Sequence, residues 1–181
     1  MNKALFKIFF PLLALSVYAA PLLAGWDPDK AAGMDHDVKE AINNFKKQDP
    51  SINRFFEKAE GYAIYPSVGK AGMFIGGAYG EGRVYSKSKL IGDTTLKQLT
   101  VGFQLGAQAY SELIFFKDKS TLDKFKSEKI EFDAQVSAVA ATFGASANVD
   151  YSHGVAVFTI TKGGLMYEAS VGGQQFTFDP K

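Results

Sequence analysis

The side chains that could support catalysis are few, and their spacing is poor for it. The chain has no cysteine and two histidines, His36 and His153. Ser152 precedes His153, but adjacency in sequence does not by itself place a base on a hydroxyl nucleophile. His36 lies between two aspartates, and neighbouring helical positions face apart, which makes a poor metal site. The sequence therefore predicts a protein that is not an enzyme and that has no metal or cofactor site.

A glycine-rich stretch at residues 60–84 is the most distinctive part of the chain. Glycine within a β-prone apolar run marks a bulge, a bend or a close backbone approach. The stretch lacks the Gly-Lys-Ser/Thr ending and the strand-to-helix context of a phosphate-binding loop. We therefore expect curved, tightly packed sheet here. The glycines that alternate with its apolar residues are Gly69, Gly72, Gly76, Gly77, Gly80 and Gly82.

Six basic residues in and around this stretch are the candidate binding residues. Between positions 54 and 89 they outnumber three acidic residues. A basic side chain near an anionic bilayer contributes about 1 kcal/mol of attraction. An ordinary solvated face is the alternative explanation of the same cluster. The predicted headgroup-binding set is Arg54, Lys58, Lys70, Arg83, Lys87 and Lys89.

The first 24 residues have the layout of a secretory signal peptide. Lys3 and Lys7 give a positive start, an apolar run follows, and small residues occur near Ala24. The run is short for a transmembrane helix, which needs about 20 apolar residues. We expect cleavage after Ala24, or alternatively after Ala19, and a periplasmic or secreted product. Without a cysteine, that product is not lipidated.

Charge balance excludes some partners. The chain has 20 basic and 19 acidic residues, and removal of Lys3 and Lys7 leaves 18 basic residues and a formal net charge of −1. Such a balance does not indicate nucleic-acid binding. Any anionic partner must therefore meet a local basic patch. The lack of cysteine also excludes disulfides, so an exported domain must be stabilised by its core.

Hydrophobic periodicity predicts one α+β domain over residues 25–181. Apolar residues at helical spacing predict an amphipathic helix over 27–49 and a second one that begins at Pro50 and is ended by Gly61. Asp118 or Ser120 can cap a short helix near 118–127. A period of two predicts the strands, with a polar turn around 86–94. Together these predict a curved antiparallel sheet, or partial barrel, of about six to eight strands with N-terminal helices and one inserted helix. The predicted strands lie near 62–66, 72–79, 82–87, 95–107, 110–116, 132–151, 155–161, 165–171 and 174–178.

Five strings occur in an order that resembles the SYLF family of lipid-binding domains. The resemblance covers roughly residues 30–178. The strings are Ala59–Pro66, which ends in proline; Lys70-Ala71-Gly72 followed by the glycines of 76–82; Val101–Gln108; the small residues of Ala134–Ala147; and Gly163–Glu168. This chain departs from the family in lacking a lipobox cysteine and in having a shorter polar insert before Val101.

The resemblance implies a non-enzymatic domain that binds phospholipid headgroups. We therefore expect the protein to bind an anionic phospholipid membrane surface of the bacterial envelope, and an unidentified envelope protein stays open as a second partner. Two alternatives also stay open: a periplasmic carrier of a lipid or other apolar ligand, and an eight-stranded outer-membrane barrel.

Overall fold

Three helices and seven strands make up the part of the chain that the computed structural model describes, residues 28–72, 75–101, 106–128, 137–164 and 173–181. Two short 3-10 turns, Pro50–Ile52 and Ala145–Asn148, lie in connections. The α+β class predicted from the sequence is confirmed. In chain order the elements are α1 (Pro28–Gln48), α2 (Asn53–Lys58), β1 (Gly61–Gly72), β2 (Ile75–Ser86), β3 (Lys89–Val101), β4 (Gly106–Phe116), α3 (Lys119–Lys126), β5 (Ala138–Ala140), β6 (Val155–Gly164) and β7 (Gln174–Pro180).

The seven strands form one sheet in the order β5-β6-β4-β1-β2-β3-β7. All neighbours are antiparallel except β5 and β6, which are parallel. The parallel pair arises because α3 and the start of β6 lie at the same end of β4, where Lys117 N donates to Gly154 O at 2.9 Å. A strand that follows α3 therefore runs in the direction of β6. The described sheet is open, with β5 and β7 at its edges.

The helices form where the sequence predicts them. Val38, Ala41 and Phe45 of α1 recur at helical spacing and are all buried against the sheet. The carboxylate of Asp118 accepts a hydrogen bond from Thr121 N at 2.9 Å and begins α3. A side-chain acceptor of this kind satisfies one of the free amide donors at a helix start.

Several predicted strand boundaries are wrong, because strands continue where the sequence pattern predicted an interruption. From Ile75 onward the predicted strands 72–79 and 82–87 form the single strand β2, in which Gly80 pairs with both β1 and β3 and Gly82 pairs with β3. The predicted polar turn at 86–94 is a two-residue turn at Lys87 and Ser88, with φ of 47° and 66°. Positive φ at both positions is typical of a tight hairpin turn, so β3 begins at Lys89.

The predicted long strand at 132–151 is also wrong in its described part. Strand structure covers Ala138–Ala140, after which the chain turns at Gly144, whose φ is +77°. Residues 129–136, like the predicted second hairpin strand at 165–171, lie outside the described residues. The predicted strand 95–107 is divided, since β3 ends at Val101 and β4 starts at Gly106. The last predicted strand is confirmed as β7, which pairs with β3.

The sheet buries an apolar cluster on each face. On the outer face, α1 and α2 pack over Ile64, Leu113 and Phe158. On the inner face, Phe125 of α3 lies against Phe176 of β7, with ring centroids 5.2 Å apart. Curvature brings β7 across from β1 and β4, which are not its neighbours in the sheet.

We predict that Gly82→Ala destabilises the fold whereas Gly69→Ala does not. A Cβ at Gly82 would lie 2.4 Å from Ile64 O, whereas a Cβ at Gly69 meets nothing within 4 Å. We expect a loss of about 1–3 kcal/mol in the free energy of unfolding for the first change, and none for the second. Urea unfolding of both variants measures this. Equal stability of the two would contradict the close packing of β2 on β1.

Candidate functional site

The six basic residues predicted to bind headgroups do not form one patch. Arg83 and Lys70 are buried, with 3% and 5% exposure. Arg83 lies on the outer face beneath α1, where it pairs with Asp35 of α1 and with Asp93 of β3. Lys70 lies on the inner face. These two side chains are therefore enclosed within the fold, one on each face of the sheet.

Arg54 also has a structural role. Its guanidinium donates hydrogen bonds to the carbonyls of Ser146 and Val149 and lies over the Phe55 ring, 4.5 Å from its centroid. The loop that it holds is also bound by Asp49, whose carboxylate accepts from Ser146 N at 2.6 Å. Although burial opposes it, the hydrogen bonds from Ser51 and Ser146 lower the pKa of Asp49.

The remaining three basic residues, Lys58, Lys87 and Lys89, are exposed at the end of the sheet where β1 starts and β2 ends. Lys87 Nζ lies 3.7 Å from Glu60 Oε1. Their role in headgroup binding stays a prediction.

The opposite end of the sheet carries an exposed apolar surface. Ile75 and Tyr79 of β2 and Leu99 of β3 are 66%, 51% and 71% exposed. Leu99 is the register partner of Gly77, so it lies between Ile75 and Tyr79 on the outer face. We call these three residues the apolar strip. Lys97, the exposed register partner of Tyr79, adds a cation to it.

Tyr79 gives the strip a polar tip. Its hydroxyl donates to Glu81 Oε1 at 3.1 Å. Partial burial and this hydrogen bond raise the pKa of Tyr79 above its ordinary value. The phenol therefore stays neutral at physiological pH, with an apolar ring and a polar end.

A groove of about 630 Å³ lies beside the strip on the same face. Its floor is made of small residues from three strands, and Tyr79 forms one wall. Side chains on this floor reach no further than a methyl group, which leaves space above the backbone. We call this space the groove, and its floor residues are Gly69, Ala71, Gly77, Ala107 and Ala109.

The inner face contains a charged residue that the sequence analysis missed. Glu112 of β4 has 0% exposure, and Gln174 Nε2 donates to its Oε2 at 2.9 Å. Burial raises the pKa of Glu112 to about 7, although the hydrogen bond from Gln174 and the charge of Lys70 act in the opposite direction. Glu112 lies within an apolar run, 110–116, and that isolated charge was the signal available in the sequence.

Two absences concern the described residues alone. Within them, no cluster of three or more His, Cys, Asp or Glu side chains could hold a metal ion. No helix in the same part of the chain has the length and apolarity needed to cross a membrane.

Comparison with known proteins gives two matches. Residues 97–181 match the family model described as "Ysc84: Las17-binding protein actin regulator". The chain is also 29% identical over 140 residues to Beta cell expansion factor A of Aeromonas veronii, in an alignment that covers 76% of this chain and 52% of that protein. The alignment thus spans about half the length of this curated relative.

We predict that Glu112 makes the stability of the fold depend on pH between about 5 and 8. Its pKa is raised from 4.5 to about 7, so folding favours the neutral acid. The contribution of neutral Glu112 to the free energy of unfolding is therefore fully present below pH 4.5 and is lost as the pH rises through 7. This shift in the pKa of Glu112 corresponds to a change of about 3 kcal/mol in the free energy of unfolding across that range. We expect Glu112→Gln to be more stable than the unmodified protein at pH 8 and to differ less at pH 5.

Urea unfolding across this pH range measures the effect. Glu57→Gln, at an exposed position on α2, is the matched control and should keep the original pH dependence. An unchanged pH dependence in Glu112→Gln would show that the buried carboxyl does not titrate in this window.

Proposed function

We propose that this protein is a peripheral module that binds anionic phospholipid surfaces. Residues 97–181 belong to the SYLF family, which confirms the resemblance found in the sequence. Family membership supports a lipid-binding or actin-regulator type of domain, in a family of non-enzymatic binding domains. The observation that carries the finer proposal is the apolar strip. We place the binding at a membrane of the bacterial envelope, since the first 24 residues predict export.

The strip has the composition of a surface that enters the interfacial region of a bilayer. Contiguous exposed apolar side chains mark interaction sites, and tyrosine favours the depth at which lipid headgroups lie. Burial of a large apolar side chain contributes about 1.5–3 kcal/mol. Three partly buried side chains can therefore supply several kcal/mol. Lys97 adds about 1 kcal/mol when the lipid is anionic.

We therefore expect the apolar strip, and not most of the six predicted basic residues, to contact the membrane. Arg54, Lys70 and Arg83 make contacts within the fold, so reversal of their charge would report on folding. Lys87 and Lys89 follow the other end of β2, and the twelve residue steps from Ile75 to Lys87 span about 40 Å along an extended strand at about 3.3 Å per residue. One flat membrane surface cannot meet both ends at once when the strand lies upright on it.

We predict that residues 25–181 float with vesicles that contain phosphatidylglycerol or cardiolipin and float less with pure phosphatidylcholine. High salt should weaken this flotation in part, because it screens the basic side chains and leaves apolar insertion intact. Density-gradient flotation at low and high salt measures both effects. Failure to float with any of these vesicles would contradict direct membrane binding.

We predict further that Leu99→Ser with Ile75→Ser reduces flotation strongly, whereas Lys87→Glu with Lys89→Glu reduces it weakly. Both pairs are exposed, so neither change removes core packing. Lys97→Glu should reduce binding to anionic vesicles and leave the residual binding to phosphatidylcholine unchanged. If the Lys87 and Lys89 pair has the larger effect, the membrane meets the turn end of the sheet and the strip is not the contact.

A further inference from the structure

The floor of the groove is formed by two neighbouring rows of residues that cross the sheet. One row is centred on Ala71 of β1 and the other on Gly69 of β1. Rows on one face of a sheet are about 6.7 Å apart, and strands are about 4.8 Å apart. The floor is therefore two rows wide and three strands long, which suits a single chain that lies across the strands. In the order β2, β1 and β4, the rows are Gly77, Ala71 and Ala107, and Tyr79, Gly69 and Ala109.

Two glycines of the floor are not required by the fold. A Cβ built at Gly69 meets nothing within 4 Å, and a Cβ at Gly77 meets Gln98 O at 3.6 Å, which is ordinary contact. Neither glycine has a positive φ. This contrasts with Gly82, where a Cβ would collide with the backbone. Glycine weakens a strand interior, and one of the reasons for which it occurs there is the close approach of a ligand to the backbone.

The floor offers a ligand almost no group to hydrogen-bond. Gly69 and Ala71 have strand partners on both sides, and Gly77 has Ala71 on one side and Leu99 on the other. Their peptide groups therefore bond within the sheet. A polar ligand would give up hydrogen bonds to water here and gain none in return, which is unfavourable. The part of a ligand that enters the groove must therefore be hydrocarbon.

A cation lies at the β3 side of the groove. Lys97 is exposed and is the register partner of Tyr79, so it lies beside the wall. Glu81, the next residue of β2 on this face, is paired with Lys30 at 3.1 Å. The negative charge near the wall is thus matched within the fold, and Lys97 adds a positive charge. An amphiphile with an anionic end is therefore favoured over a neutral or cationic one.

We propose that the groove binds the hydrocarbon chain of a free fatty acid, whose carboxylate lies beside Lys97. The volume of about 630 Å³ is in the range of small-molecule sites. The floor lies below the level of the apolar strip, so a flat bilayer that meets the strip does not reach it, whereas a single chain does. The proposal concerns a ligand taken from solution and does not depend on the proposed binding to membranes.

Calorimetric titration of the full chain with saturated fatty acids from octanoate to palmitate, each below its micelle-forming concentration, tests the proposal. We expect the affinity to rise about fourfold for each added CH₂, as expected for one buried methylene. The rise should stop once the chain is longer than the floor of the groove. Affinity that keeps rising through palmitate would overturn the proposal, because it would indicate partitioning onto an open apolar surface.

Variants that fill the groove locate the binding. Gly69→Leu and Gly77→Leu place a large side chain on the floor from β1 and from β2, and each should weaken palmitate binding at least tenfold. Gly33→Leu is the matched control, because Gly33 is exposed on α1 and a Cβ there also meets nothing within 4 Å. It should leave the affinity unchanged. Circular dichroism of each variant identifies any loss of fold.

A charge variant tests the position of the carboxylate. Lys97→Gln should weaken the binding of dodecanoate several-fold and leave the binding of dodecanol unchanged. Equal effects on the two ligands would overturn the placement of the carboxylate beside Lys97.

The same variants separate this proposal from membrane binding. Gly69→Leu should float with phosphatidylglycerol vesicles as well as the unmodified chain does, although it has lost palmitate binding. Absence of palmitate binding in the unmodified chain, or palmitate binding that survives both groove-filling variants, would overturn the proposal. A parallel loss of flotation in Gly69→Leu would also overturn it, since the chain in the groove would then belong to a membrane lipid.

Discussion

The close approach of β2 to β1 is the constraint on which the rest of the structure depends. At Gly82 the two strands leave no room for a Cβ, and at Gly80 a Cβ would lie 2.8 Å from the Val68 side chain. The sheet can therefore curve until β7 faces β4 across the inner face, where Gln174 reaches Glu112. The curved sheet then has an inner face closed by α3 and an outer face covered by α1 and α2. Because α1 begins near Glu81, no described helix covers the outer face beyond it, where the apolar strip and the groove lie.

Two of the buried charged groups, Arg83 on the outer face and Glu112 on the inner face, are accommodated differently. Arg83 is permanently charged, so its burial requires carboxylate partners, and α1 and β3 each supply one. Glu112 can lose its charge, and its pKa near 7 shows that burial favours the neutral acid. The outer face is thus tied to its helix by an ion pair, whereas the inner face contains an acid that titrates near neutrality.

The sequence predicted the elements better than it predicted which way their side chains face. Apolar spacing identified α1, and Asp118 identified the start of α3, because helix periodicity and capping are local properties. Strand register is not local: Lys70 and Arg83 belong to opposite faces of the sheet, and nothing in a single chain states which face of each strand a helix covers. For the same reason Glu112 escaped notice, and the exposure of Leu99 could not be foreseen, since it depends on where α1 begins.

The glycines of β2 also bear on the glycine motif through which this sequence resembles the SYLF family. Gly80 and Gly82 are required by distances between backbone atoms and neighbouring side chains, and neither contributes a group that a ligand could bind. A search with such a motif therefore sorts proteins by the curvature of their backbone. Proteins found by such a search can share this sheet and still differ in what they bind. Recognition depends on side chains such as those of the apolar strip, which the motif does not include.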